Sequence, residues 1–310
     1  MSSTRRHGES VLPPRLKHGA TVGVAAISGP VAPALLDAGL ARLRGLGFRV
    51  VEAANLRRVD GLFAGSDAER AEGYRRLLLD SRVDAIFFGR GGYGSARVLD
   101  RLSAEEIAAH PKIHLGGSDL TALFALLRAA GLMAFYGPMV AVEIALEDGL
   151  DWLSVLSGAP PEDHRFAEED VLSPGVGEGP LSGGCLSLLA SLCGTREAPW
   201  AAGGVLFWED IGEEIYRLDR MLTQLERSGT FERIQAMIVG SVVSRDGSER
   251  PDNVRAYLRA RFRGAPFPVA AGFPAGHLRR PRTLPLGATV RVDLDGPRSL
   301  RFLGPVVLSS

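Results

Sequence analysis

The chain is short of cysteine, of any excess of one charge, and of long apolar runs. Each shortage excludes something. Only two cysteines, Cys185 and Cys193, stand among 310 residues. Two thiols cannot build a disulfide framework, and C-x7-C is not a zinc spacing, so both read as reduced thiols of a cytosolic protein. The histidines number six and are too scattered for a metal tract, so no metal is expected. Lys plus Arg and Asp plus Glu both come to 36, a formal net charge of zero without the basic excess of a nucleic-acid binder. The most apolar stretches, residues 22–27 and 86–88 among them, are strand-length and end at Gly or Pro. No membrane partner is expected from them. Residues 1–19 are polar and basic, carry Pro13-Pro14, and read as a flexible lead-in rather than a signal peptide.

What is present is globular. Hydrophobic residues make up 45% and charged residues 23%, enough for a sizeable core, and the length suggests two domains. The first half alternates short apolar runs with helical periodicity. Residues 21–27, 48–52, 83–88, 113–117 and 132–136 read as strands. Helical stripes fall between them: Leu36, Leu40 and Leu43, then residues 68–79, then Leu120, Leu123, Phe124 and Leu127 at i, i+3, i+4 and i+7. This pattern predicts right-handed βαβ units and a parallel sheet over residues 20–160. Turn chemistry over 161–180, including Ser173-Pro174-Gly175, marks a linker. Residues 181–310 alternate less regularly and predict a smaller mixed α/β domain. Within it, 181–193 reads as a helix after a Gly183-Gly184 turn, and 204–208, 236–242 and 289–294 as strands.

Four constellations could carry chemistry. Gly89-Arg90-Gly91-Gly92-Tyr93-Gly94 follows a strand, and such glycines let backbone N–H groups approach a ligand. It also spells G-x-G-x-x-G, but after the third strand, and without a clean acidic partner about 20 residues on. A tight turn without a ligand explains it equally well. Gly116-Gly117-Ser118-Asp119 turns a strand into a helix, so Ser118 is either a helix cap or a nucleophile beside a helix N-terminus. In Trp208-Glu209-Asp210-Ile211-Gly212-Glu213-Glu214, the last two carboxylates suit a helix start, whereas Glu209 ends a buried strand and is harder to dismiss. His277, in the Gly/Pro loop Gly272-Phe273-Pro274-Ala275-Gly276-His277, is poorly explained as core. Its rival His114 lies roughly 13 Å from Ser118 by strand rise.

Together these residues resemble the LD-carboxypeptidase family, cytoplasmic serine peptidases of murein recycling with related self-immunity peptidases acting on microcin-type aminoacyl nucleotides. The resemblance runs from about residue 16 to 307. Its pieces include Phe63-Ala64-Gly65-Ser66-Asp67, Arg90-Gly91-Gly92-Tyr93-Gly94, Gly117-Ser118-Asp119-Leu120-Thr121-Ala122-Leu123, Tyr136-Gly137-Pro138, Glu209-Asp210, Tyr216-Arg217-Leu218-Asp219-Arg220 and Gly276-His277. It implies a doubly wound, flavodoxin-like N-terminal domain and a swivelling-type C-terminal domain, a Ser118–His277–Glu209 triad in the cleft between them, an oxyanion hole at the N–H groups of Gly92 and Asp119, no cofactor, and a homodimer. It implies a serine carboxypeptidase that releases a C-terminal D-amino acid from an LD-peptide, or, as the alternative, an amidase acting on an aminoacyl nucleotide. Arg90 and Arg217 are candidates for the substrate carboxylate, and Tyr93 and Cys185 for other substrate contacts. Cys185 stands where relatives usually carry Asn, and Tyr136 where they often carry His. Two readings from other classes stand beside it: a nucleotide-binding oxidoreductase built on Gly89 to Gly94, and a non-catalytic ligand binder in which Ser118 only caps a helix.

Overall fold

A computed structural model describes residues 10–146, 151–198, 202–244 and 251–309. Five parallel strands form the first sheet: β1 (Thr21–Ala25), β2 (Arg49–Glu52), β3 (Ala85–Phe88), β4 (Ile113–Gly116) and β5 (Ala134–Tyr136). Their spatial order is β2-β1-β3-β4-β5, the flavodoxin-like arrangement that the family resemblance implies. Helices cover both faces of such a sheet, which is why β3 is apolar at every position and wholly buried.

The other strands follow in chain order: β6 (His164–Arg165), β7 (Val171–Ser173), β8 (Val176–Cys185), β9 (Val205–Ile211), β10 (Ala236–Val243), β11 (Val269–Ala270), β12 (Leu284–Leu286), β13 (Thr289–Asp293) and β14 (Ser299–Phe302). All but β12 build a mixed sheet of order β6-β14-β13-β8-β9-β10-β11-β7. β12 returns to the first sheet and pairs antiparallel with β5. The helix Thr121–Ala129 buries every residue from Thr121 to Leu127. A helix apolar all round must be covered all round. This one lies on the first sheet and also meets β8 and the helix Leu186–Ser191 of the second.

Three expectations need correction. Residues 161–180 are not a free linker: β6, β7 and the start of β8 all belong to the second sheet. Residues 181–193 are not one helix, because β8 runs through Cys185 and the helix covers only Leu186–Ser191. Gly183 and Gly184 are strand residues with positive φ, and their missing side chains matter. A Cβ on Gly183 would overlap the Phe207 carbonyl of β9, and one on Gly184 would strike Thr121. Finally, residues 10–19 are docked. Val11 bridges Leu132, and Leu16 is buried with its N–H on the Leu156 carbonyl. Residues 1–9 of the expected lead-in lie outside the described residues. Among the described residues, no helix is long and apolar enough to cross a membrane.

Candidate active site

In open parallel sheets, ligands meet the loops beyond the carboxyl ends of the strands. Here those loops follow β1, β3, β4 and β5. Beyond β4 the chain turns at Ser118, where φ is 59°, a left-handed conformation uncommon for any side chain but glycine. Two bonds hold it there. Its N–H donates to the Tyr136 hydroxyl at 2.9 Å, and its carbonyl accepts from Thr121 Oγ1 at 2.7 Å. The hydroxyl itself caps neither the short turn Ser118–Leu120 nor the helix Thr121–Ala129. The cap explanation for Ser118 therefore fails.

The glycine turn after β3 is packed on this serine. A Cβ on Gly91 would stand 2.9 Å from Ser118 Cβ, 3.1 Å from its Oγ and 3.2 Å from the Asp119 nitrogen. Close backbone approach accounts for the glycine without a dinucleotide. Asp119 ties the loops together from below. Its buried Oδ2 accepts from Ser28 Oγ at 2.5 Å and from the Ser95 N–H at 2.8 Å, while Ser95 Oγ donates to the Asp119 carbonyl. The loops after β1, β3 and β4 are thereby locked to one another.

The second sheet supplies the rest. Glu209 on β9 has no exposed surface. Oε1 accepts from the Tyr136 hydroxyl at 2.6 Å. Oε2 accepts from His277 Nδ1 at 2.7 Å and from the His277 N–H at 3.0 Å. Three donors on one carboxylate fix its orientation, and with Nδ1–H donating, His277 Nε2 is left as an acceptor. Gly276 allows this approach. At its φ of 110°, a Cβ would lie 2.5 Å from Glu209 Oε2. Burial pulls the His277 pKa down, but the charge and hydrogen bond of Glu209 outweigh it, with Glu143 and Asp210 adding to them. The imidazole ends above its usual value. Burial, reinforced by Glu209, holds the Tyr136 phenol protonated and hence a donor.

Ser118, His277, Tyr136, Met139 and Glu143 line one cavity of about 240 Å³ of empty space. Ser118 and His277 face it without a hydrogen bond between them, and Glu209 stands behind the imidazole. His114 is elsewhere. It is fully buried, bonded to the Tyr74 hydroxyl at 2.9 Å, and burial pushes its pKa down to about 4. Arg90 curls over Gly29 and Gly92, with one guanidinium nitrogen 3.3 Å from the Pro30 carbonyl. Tyr93, 53% exposed, leans on Phe63. Cys185 is not on the wall. It pairs with Glu209 in the β8–β9 register, and its N–H donates to Thr121 Oγ1 at 2.9 Å beneath the site. Arg217, on the helix Ile215–Arg227, is not among the residues that line this cavity and meets Glu213 and the Tyr216 hydroxyl. Among the described residues, no three His, Cys, Asp or Glu side chains gather for a metal ion.

Sequence reasoning gave no role to Tyr136, which it named only as a departure from relatives, and passed over Glu143. Tyr136 follows from register, since β4–β5 pairing sets it opposite Gly116, two residues before Ser118. Glu143 is a lone carboxylate in the apolar run Met139-Val140-Ala141-Val142-Glu143-Ile144, a signal visible in the sequence.

Fold and site together define a two-sheet α/β protein with a serine on one sheet and a histidine–glutamate pair on the other. Residues 22–137 match the LD-carboxypeptidase N-terminal domain and residues 178–292 the LD-carboxypeptidase C-terminal domain. The Streptomyces coelicolor protein named "Putative carboxypeptidase SCO6489" is 40% identical over 306 residues, covering 93% of this chain and 94% of its own. The "Probable murein peptide carboxypeptidase" of Bacillus subtilis is 35% identical, covering 91% of each. Among solved structures, the microcin C7 self-immunity protein MccF in complex with aspartyl sulfamoyl adenosine superposes with a TM-score of 0.84. It is 25% identical and covers 96% of this chain and all, 100%, of that one. The chain belongs to the LD-carboxypeptidase family.

Proposed function

We propose that this chain is a cofactor-free serine carboxypeptidase that hydrolyses the bond between an L-centre and a C-terminal D-residue, with Ser118, His277 and Glu209 as its triad. The observation that carries this reading is the junction between the sheets. A serine held at positive φ by close packing shares a cavity with an imidazole whose Nδ1 is committed to a buried carboxylate. His277 Nε2 takes the proton of Ser118 Oγ as that oxygen attacks the carbonyl, then gives it to the departing amine. Water repeats the sequence on the acyl-enzyme and restores the serine. Glu209 keeps the imidazole in the tautomer that can accept, and stabilises the imidazolium. The N–H groups of Gly92 and Asp119, on facing turns, receive the oxyanion; losing one such donor typically costs about 3 kcal/mol of transition-state stabilisation. Arg90, a cation beside Gly92, meets the terminal carboxylate.

The test is D-alanine release from an LD-tetrapeptide, without added metal or nicotinamide. Ser118→Ala and His277→Ala should each abolish it while the melting curve stays cooperative. Wild-type turnover by Ser118→Ala would remove the nucleophile. The similarity to MccF with a bound aminoacyl sulfamoyl nucleotide supports a second reading, amide hydrolysis of an aminoacyl nucleotide by the same triad. Mass spectrometry of the products from both substrate classes separates the two.

A further inference from the structure

Glu143 is a buried carboxylate on the wall of the Ser118–His277 cavity, and the hydrolysis proposed above does not use it. A carboxylate in an apolar run costs free energy unless a cation or several donors meet it. Among the described residues only backbone donors meet it, the Met139 N–H on Oε2 at 2.9 Å and its own N–H. No Lys or Arg among the described residues pairs with it. Burial accordingly pushes its pKa up, while the Met139 bond and the His277 charge pull it down.

The backbone beneath this carboxylate is fixed. It belongs to the wide helical turn Val140–Ile144. The Ala141 N–H donates to the Gly89 carbonyl at 2.9 Å, which ties the turn to the glycine loop beside Ser118. On the other side, Gly39 packs so closely that a Cβ there would overlap the Val140 carbonyl. A carboxyl group held by rigid backbone, with no side-chain cation, on the wall of the cavity that holds the reacting atoms has the features of a recognition element.

The sign of the charge selects the ligand. A departing D-amino acid carries a carboxylate, which Glu143 repels, so Glu143 belongs beside the acyl portion of the substrate. We infer that Glu143 is a specificity residue that takes a primary ammonium on the acyl side of the scissile bond. Such an ammonium has two sources. One is the side chain of a diamino acid next to the D-residue in a peptide; the other is the free α-amine of an aminoacyl nucleotide. The inference rests on the assignment of Ser118 and His277 to the reaction.

The experiment compares substrates that differ only in the ammonium. N-acyl-L-lysyl-D-alanine is set against N-acyl-L-norleucyl-D-alanine. Alanyl sulfamoyl adenosine is set against its N-acetylated form. Glu143→Gln keeps the Met139 hydrogen bond and removes the charge. Losing one charge-assisted hydrogen bond should lower the ratio of kcat/KM values within the responsive pair about 10- to 100-fold. A response in the first pair assigns the diamino side chain, and one in the second assigns the α-amine. Equal losses on both members of each pair would overturn the inference, and so would an unchanged ratio. Binding to Ser118→Ala is read by calorimetry alongside. If the wild type cleaves nothing, the proposed reaction fails, and the subsite is decided by whether Ser118→Ala prefers the ammonium ligand and Ser118→Ala with Glu143→Gln does not.

Discussion

The two halves of the site are held by different physics. On the first sheet, Ser118 is placed by backbone: a left-handed φ, a neighbouring glycine without a side chain, and loops bound by Asp119. On the second, His277 is placed by side chains, through a carboxylate that accepts from three donors. A position fixed by close packing is broken by adding atoms. A position fixed by hydrogen bonds is broken by removing them. The contrast orders the substitutions that would sharpen or dissolve it.

The largest effect falls on Ser118. Ser118→Gly and Ser118→Ala should each lower kcat by about six orders of magnitude, the scale on which serine hydrolases lose their nucleophile. They should part company in stability. Glycine adopts a φ of 59° without strain, so Ser118→Gly should unfold about 1 kcal/mol less readily than Ser118→Ala in chemical denaturation. If both variants melt together, the backbone at 118 carries no strain, and half of the comparison is gone.

Next comes Glu209→Gln, with a loss of about 10⁴ in kcat because an amide stabilises the wrong imidazole tautomer. Its pH profile is the sharper readout. The reaction needs neutral His277, whose pKa is raised in the folded protein, so activity is lost as pH falls through a value above the usual imidazole pKa. Without the charge of Glu209, burial dominates and Glu143 and Asp210 offset only part of it. The residual activity of Glu209→Gln should therefore extend to lower pH than that of the wild type. An unmoved acid limb would mean that another group sets it.

Gly91→Ala tests the packed half by addition. The new methyl would sit 2.9 Å from Ser118 Cβ, so either the turn after β3 or the serine must shift. A displacement of an ångström near the reacting atoms costs about 100-fold in kcat. Activity within twofold of wild type would show that the two turns are not held in register by this contact.

The same division explains what the sequence revealed. The first sheet was readable as a parallel sheet of βαβ units, because each strand is a short apolar run followed by a helical stripe, and its strand order came from the family resemblance. The turn at Gly117-Ser118 was readable because glycines announce special backbone. Its meaning was not, since a helix cap and a nucleophile share one local pattern, and only the hydroxyl's lack of a capping role separates them. The second sheet was harder. Gly183 and Gly184 suggested a turn, yet they are glycines because β9 and Thr121 press on a strand. That is a tertiary cause with no local signature. Glu209 and His277 could each be singled out by position, but their pairing spans 68 residues of chain and came only from family resemblance.

Tyr136 joins the two halves, and the smallest effect is expected there. Its hydroxyl accepts from the Ser118 N–H and donates to Glu209 Oε1, so one oxygen holds both the backbone-placed and the side-chain-placed parts. Tyr136→Phe keeps the ring against Phe124 and Phe207 and deletes only that oxygen. The left-handed turn is still gripped by Thr121, and the imidazole by Glu209 Oε2, so kcat should fall only about tenfold, in line with the loss of one hydrogen bond to a charged group. KM should change little. Glu209, with one donor fewer, attracts the imidazolium more strongly, so the acid limb should move to higher pH, opposite to the shift expected of Glu209→Gln. Replacement by His, which can donate and accept at once, should restore part of the rate and return the limb toward its wild-type position. A rate loss without any shift of the limb would make Tyr136 a packing residue, and the link between the two halves would then rest on contacts such as that of the Cys185 N–H with Thr121.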